Sequence, residues 1–106
     1  MAVYDVNMVN AQFADGISAE SISVSSTAKT LTVPTGANAA LVCVHTNTIR
    51  ASIGTTATAT LGLAFASGDM FYVYGTKNLT SLSLIRESAD ATVTVQYFNI
   101  RNVGVI

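Results

Sequence analysis

The chain has 106 residues, of which 50% are apolar and only 10% charged, with a formal net charge of -1 at pH 7. That is the length of one domain, without the basic footprint of a nucleic-acid binder or the polybasic face of a membrane-surface protein. A mean hydropathy of +0.48 also excludes a disordered chain, which is poor in apolar groups and rich in charge.

From the N-terminus, residues 1–16 alternate Tyr4, Val6 and Met8 with Val3, Asp5 and Asn7, then reach Phe13 and Gly16. Apolar ends are unusual, since ordinary termini are polar and fray. This stretch is expected to be an edge strand or an arm docked on a neighbour. The start, Met1 to Asn7, lacks a basic region and a continuous apolar run, and the longest apolar runs, Ala39 to Val44 and Leu63 to Ala66, are short, so neither a secretory leader nor a membrane span is expected, and the chain is expected to be made in a cytoplasm.

From Glu20 onward a period of two dominates, the mark of half-buried strands. Glu20 to Val24 sets Ile22 and Val24 against Ser21 and Ser23, and Ala28 to Val33 sets Leu31 and Val33 against Thr30 and Thr32. Pro34-Thr35-Gly36 ends that strand, because Pro cannot donate to a ladder and Gly permits the turn. Ala39 to Thr46 is apolar on both faces, with Leu41 and Cys43 on one and Ala40, Val42 and Val44 on the other. Such a strand is central or covered.

Ile49 to Ile53 alternates again, and Gly54 to Thr60 reads as an extended polar surface connection. Leu61 to Phe65 is a short apolar piece closed by Ala66-Ser67-Gly68-Asp69. Met70 to Tyr74 is aromatic and β-prone, Gly75 to Asn78 is expected to turn, and Leu79 to Arg86 is expected to be a strand. Ala91 to Asn99 is the cleanest strand, with Ala91, Val93, Val95 and Tyr97 on one face. The tail, residues 100–106, is again apolar, ending Val103-Gly104-Val105-Ile106. No 12-residue window carries the apolar spacing of a helix. Seven or eight short antiparallel strands in one domain predict an all-β, two-sheet sandwich, jelly-roll-like in topology.

Ten Ser and 14 Thr against 11 charged side chains predict a surface of neutral hydroxyls. Well-behaved monomers carry roughly 25–35% charged residues on the surface. The composition therefore leans toward a protein whose outside is covered by other subunits.

The search for chemistry is mostly negative. Cys43 and His45 share a strand face, but same-face neighbours stand about 6.5–7 Å apart, and no carboxylate suggests itself to orient the imidazole. One Cys and one His cannot supply a structural zinc site, and the single Cys cannot form an intrachain disulfide. Asp5, Asp15, Asp69 and Asp90 are scattered rather than clustered for calcium. The glycines are isolated turn punctuation, not a phosphate loop. Phe71, Tyr72 and Tyr74 offer a possible sugar-stacking platform, although alternating aromatics more often fill a core and its rim. Arg50, Arg86 and Arg101 read as rim ion pairs of small worth. No catalytic residue, metal or cofactor is expected.

Several pieces in a fixed order carry a resemblance. They are Leu31-Thr32-Val33-Pro34-Thr35-Gly36-Ala37, Ala39-Ala40-Leu41-Val42, Ile49-Arg50, Thr58-Ala59-Thr60-Leu61-Gly62, Ser67-Gly68-Asp69, and Ala91-Thr92-Val93-Thr94-Val95-Gln96-Tyr97. Together they resemble the small all-β proteins that decorate or cement the capsids of tailed bacteriophages. At Gly54-Thr55-Thr56 the sequence departs from that pattern, which carries an Asp near the Gly. The resemblance implies a non-enzymatic virion protein that oligomerises, often as a trimer, on the capsid exterior and stabilises the shell. It implies two partners, other copies of the chain and the major capsid protein, with no nucleic acid and no membrane. Capsid or subunit contacts are then expected at Tyr4, Val6, Met8 and Phe13 in a 1–16 arm and at Val103, Val105 and Ile106 in a 100–106 docking tail. The alternative reading is a carbohydrate- or receptor-binding module, or a head-fibre or tail component of a phage particle.

Overall fold

A computed structural model describes residues 12–102. Eight strands and one short helix follow in chain order: β1 (Gln12–Val24), β2 (Lys29–Thr30), β3 (Ala39–Thr46), β4 (Ile49–Ile53), β5 (Leu63–Phe65), β6 (Met70–Tyr74), α1 (Thr76–Ser81), β7 (Leu82–Arg86) and β8 (Ala91–Asn102). They form two four-stranded sheets, ordered β1-β8-β3-β6 and β2-β7-β4-β5. Every pairing is antiparallel. The chain changes sheet at each connection except β4 to β5. The fold is an all-β two-sheet sandwich with jelly-roll strand order.

The alternation in the sequence becomes the core. Ala91, Val93, Val95 and Tyr97 of β8 are all at most 3% exposed, and they meet Ile49, Leu82 and Leu84 from the other sheet. β3 lies between β8 and β6, which explains why its sequence is apolar on both faces. Ala40, Val42 and Val44 turn into the sandwich, whereas Leu41 and Cys43 stand half-buried on the outer surface. Asn47, at φ 60, turns the chain from β3 into β4 in the opposite sheet; Asn tolerates this left-handed conformation better than most residues.

β1 and β8 run farther than their alternation predicts, from Gln12 and to Asn102, and three further segments differ from their expected extents. β2 is only two residues long, because the Thr32 N–H, just beyond it, donates to Glu20 Oε2 at 3.0 Å instead of joining the ladder. The expected turn and strand start at residues 75–81 form α1 instead. There the Leu79 N–H donates to the Gly75 carbonyl at 3.0 Å, and the Leu79 side chain is fully buried. β5 begins at Leu63 rather than Leu61, since Gly62, at φ +132, breaks the extended backbone.

The ends of the described chain run together. Gln12 to Gly16, within the stretch read as an arm, pairs with Phe98 to Asn102, which includes the start of the expected tail. β3 begins at Ala39, opposite Phe98, so this pair of strands projects past the end of its sheet as a ribbon. Asn38 clasps its base: the side-chain amide donates to the Ile100 carbonyl at 2.9 Å, and Oδ1 accepts from the Ile100 N–H at 2.7 Å. Farther out, Arg101 pairs with Asp15 at 2.8 Å. Phe13 sits in this ribbon opposite Arg101. Tyr4, Val6, Met8, Val103, Val105 and Ile106 lie outside the described residues.

Candidate functional site

A sandwich has two lateral sides, and here they differ. On one side the edge strands are β1 and β2, which carry Asp15, Glu20 and Lys29. Glu20 points inward in the same row as Ile22 and Val24, and its Oε2 accepts hydrogen bonds from the Tyr97 hydroxyl and the Thr32 N–H. Inward charges and Lys on an edge discourage other strands from adding to it.

On the other side the edges are β6 and β5, held together by Phe71 and Phe65, whose rings stack at 4.2 Å. Neither strand contains a charged residue, and no charge occurs from Ala51 to Gly68. Leu63 (70%), Met70 (64%), Tyr72 (57%), Tyr74 (57%), Leu61 (50%) and Ile53 (48%) are all strongly exposed there. Among the described residues β6 pairs only with β3, so no strand lies on its outer side, where Asn78 Nδ2 caps the far end by donating to the Tyr74 carbonyl at 2.8 Å. Exposed apolar groups scattered singly are ordinary; a contiguous group along bare edges marks an interaction surface.

Between these edges lies a cleft of about 600 Å³. Ala51, Ile53, Leu61, Leu63, Phe71 and Leu82 supply most of its apolar wall, and the polar side chains lining it are Ser52 and Tyr72. One rim is held in place by Arg50, which donates from Nη1 to the Gly62 carbonyl at 3.0 Å and pairs with Glu87 at 2.8 Å. Gly62 has no substitute at this point, since a Cβ would stand 3.1 Å from the Ala51 carbonyl oxygen at a φ that side chains rarely adopt. The loop before it, read from sequence as a surface connection, is anchored by buried Ala57, whose N–H donates to Ser83 Oγ at 3.0 Å. At its tip Thr58 and Leu61 exchange backbone hydrogen bonds at 3.0 and 3.2 Å. The cleft is therefore built on fixed walls.

The residues considered for chemistry lie elsewhere. His45 Nε2 is 2.7 Å from Thr94 Oγ1, while Cys43 faces Met70 and Thr94 across the sheet. Asp69 accepts the Ala66 N–H at 2.8 Å and closes a turn. Asp90 pairs with Arg86 at 2.6 Å. Among the described residues no three His, Cys, Asp or Glu side chains gather as metal ligands, and no helix is long and apolar enough to cross a membrane. Of the three aromatic residues on β6, Phe71 turns inward, whereas Tyr72 and Tyr74 are exposed with rings 5.7 Å apart and 14° from parallel. Sequence reasoning did not single out Ile53, Leu61, Leu63 or Met70. The signal available for Ile53, Leu61 and Leu63 was the uncharged run from Ala51 to Gly68; Met70, just past Asp69, lies outside it.

No protein-family model matches the chain, and no curated protein matches it. Among solved structures it is similar, at a TM-score of 0.43 and 16% identity, to a protein from Bacillus endospore appendages, described as a novel family of disulfide-linked pili. That likeness covers 83% of this chain and 88% of the other.

Proposed function

We propose that this chain is a non-enzymatic structural subunit that assembles with copies of itself, as a trimer, and binds the outside of a bacteriophage capsid to stabilise the shell. The observation that carries the reading is the uncharged, apolar β5–β6 side, with its open strand edge and exposed Leu63, Met70 and Tyr72. Left bare, such an edge templates aggregation; covered by subunits, it is an interface. The jelly-roll strand order supports the viral assignment by analogy, as viral capsid domains use this fold, and the order of sequence pieces from Leu31 to Tyr97 supports it independently. The mechanism is multivalent. Each subunit contributes a modest apolar contact, and oligomerisation raises the effective concentration of the others at the shell.

Light scattering after size exclusion tests self-assembly: the expected mass is three times the chain mass of 11.0 kDa. Co-sedimentation with capsids stripped of the protein tests shell binding. A soluble species of 11.0 kDa that stays in the supernatant removes the reading.

One observation favours a second reading, a carbohydrate-binding module. The exposed, near-parallel rings of Tyr72 and Tyr74 present the flat apolar face that sugars stack on, and lectins share the jelly roll. A glycan array on which Tyr72→Ala loses a signal that the native chain shows would favour it; a blank array removes it.

A further inference from the structure

We infer that the cleft between β5 and β6 receives residues 1–11 of a second copy of this chain, added as a strand to the open edge of β6. The inference rests on the self-assembly reading and names its contact. Three observations on different parts of the molecule converge on it.

The first is the cleft itself. It opens beside a strand edge that is unpaired among the described residues, and its wall is apolar and fixed by the Arg50 clamp. A strand laid along β6 directs alternate side chains between the sheets, into the cleft, while its backbone pairs with the outward N–H and C=O groups of Met70 and Tyr72, short of the Tyr74 carbonyl that Asn78 caps.

The second is the pattern of residues 1–11. Tyr4, Val6 and Met8 fall on one face of a strand, and Asp5, the single charged side chain of the segment, and Asn7 lie at the middle of the other, between Val3 and Val9. That arrangement fits an apolar cleft on one side and solvent on the other.

The third is where the segment starts. Gln12 stands at the tip of the β1–β8 ribbon, beyond the end of β3 and across the sheet from β6. Eleven extended residues reach at most about 36–40 Å. Seating them in the cleft of the same copy requires the chain to reverse at the tip. Residues 1–11 contain neither Gly nor Pro, the two strongest turn formers. A segment that leaves the tip in the direction of β1 needs no reversal to enter the cleft of another copy.

The test uses the full chain in three forms: native, Val6→Asp with Met8→Asp, and Leu63→Asp. Leu63 is 70% exposed, so Asp there is compatible with the fold, and far-UV circular dichroism checks that it is. The expected result is a native oligomer and two variants that both fall to the single-chain mass of 11.0 kDa with unchanged spectra. A native oligomer whose mass survives in either variant overturns the inference. Survival in the Val6/Met8 variant rules out the arm, and survival in Leu63→Asp rules out the cleft, while self-assembly stands in both cases. A native chain of 11.0 kDa overturns the inference together with the reading beneath it.

Discussion

Glu20 is a carboxylate in a row of the strand that otherwise feeds the core, and it is tolerated there because two donors meet it. The Thr32 N–H reaches Oε2 at 3.0 Å, and the Tyr97 hydroxyl donates to the same atom. The Tyr97 phenol is held above its ordinary value of 10.0, first by burial, then by its hydrogen bond to Glu20 and by that residue's negative charge. The folded state thus binds this proton more tightly than the unfolded chain does. Its stabilisation is complete below the unfolded value of 10.0 and is lost as pH rises above it. At neutral pH Tyr97→Phe is expected to cost about 1–2 kcal/mol, from the lost bond to a charged acceptor. In denaturant titrations from about pH 8 to 11, the gap between native chain and variant is expected to narrow above pH 10. A gap that holds constant would show that Tyr97 does not carry the alkaline loss. The sequence placed Glu20 in a strand with Ile22 and Val24 but could not reveal its partner, which lies 77 residues away along the chain.

At the scale of elements, local pattern was enough where a strand is flanked by strong turn signals. β3, read from its apolar run, β4, from its alternation, and β6, from its aromatic β-prone residues, occupy the spans predicted for them. Where an element depends on a distant contact, the pattern misled. α1 has six residues and no side-chain cap at its start, far below the ~12–15 residues an isolated helix needs. Burial of Leu79, which is 0% exposed, holds it in place. Leu79→Ala is accordingly expected to destabilise the fold by about 2–5 kcal/mol, read as a shift of the urea midpoint. A loss under about 0.5 kcal/mol, the size of an ordinary surface change, would mean that α1 is held by something else. Read as a strand, Leu79 sits out of register with Leu82 and Leu84. The short helix resolves this by taking Leu79 out of the strand's alternation before β7 begins at Leu82, so both reach the core.

At the scale of the whole molecule, the two lateral sides of the sandwich divide the labour. The β1–β2 side carries charge, while the β5–β6 side carries none and exposes Leu63 at 70%. An assembly formed through the second side is held by apolar burial and backbone pairing, which salt does not screen. Its mass by light scattering is expected to stay constant from about 0.1 to 1 M NaCl. Dissociation as salt rises would point to ion pairs instead. The three ion pairs among the described residues, Arg50–Glu87, Arg86–Asp90 and Arg101–Asp15, are all satisfied within one chain, consistent with an interface that does not draw on them.

The sequence by itself determined the fold class, most of the core and the scarcity of surface charge, because side-chain alternation and composition are local properties that any window reports. The inward set of β8, from Ala91 to Tyr97, is legible in this way and is buried as expected. Tertiary structure alone decided which edges are neighbours. A period of two tells which face a residue takes but not which strand lies beside it, and the ladder joins residues as distant as Gln12 and Asn102. The β5–β6 cleft follows from that choice. Leu61, Leu63 and Phe71 are ordinary strand residues in the sequence, and they become one apolar surface because the jelly roll brings one edge strand of each sheet, β5 and β6, to the same side.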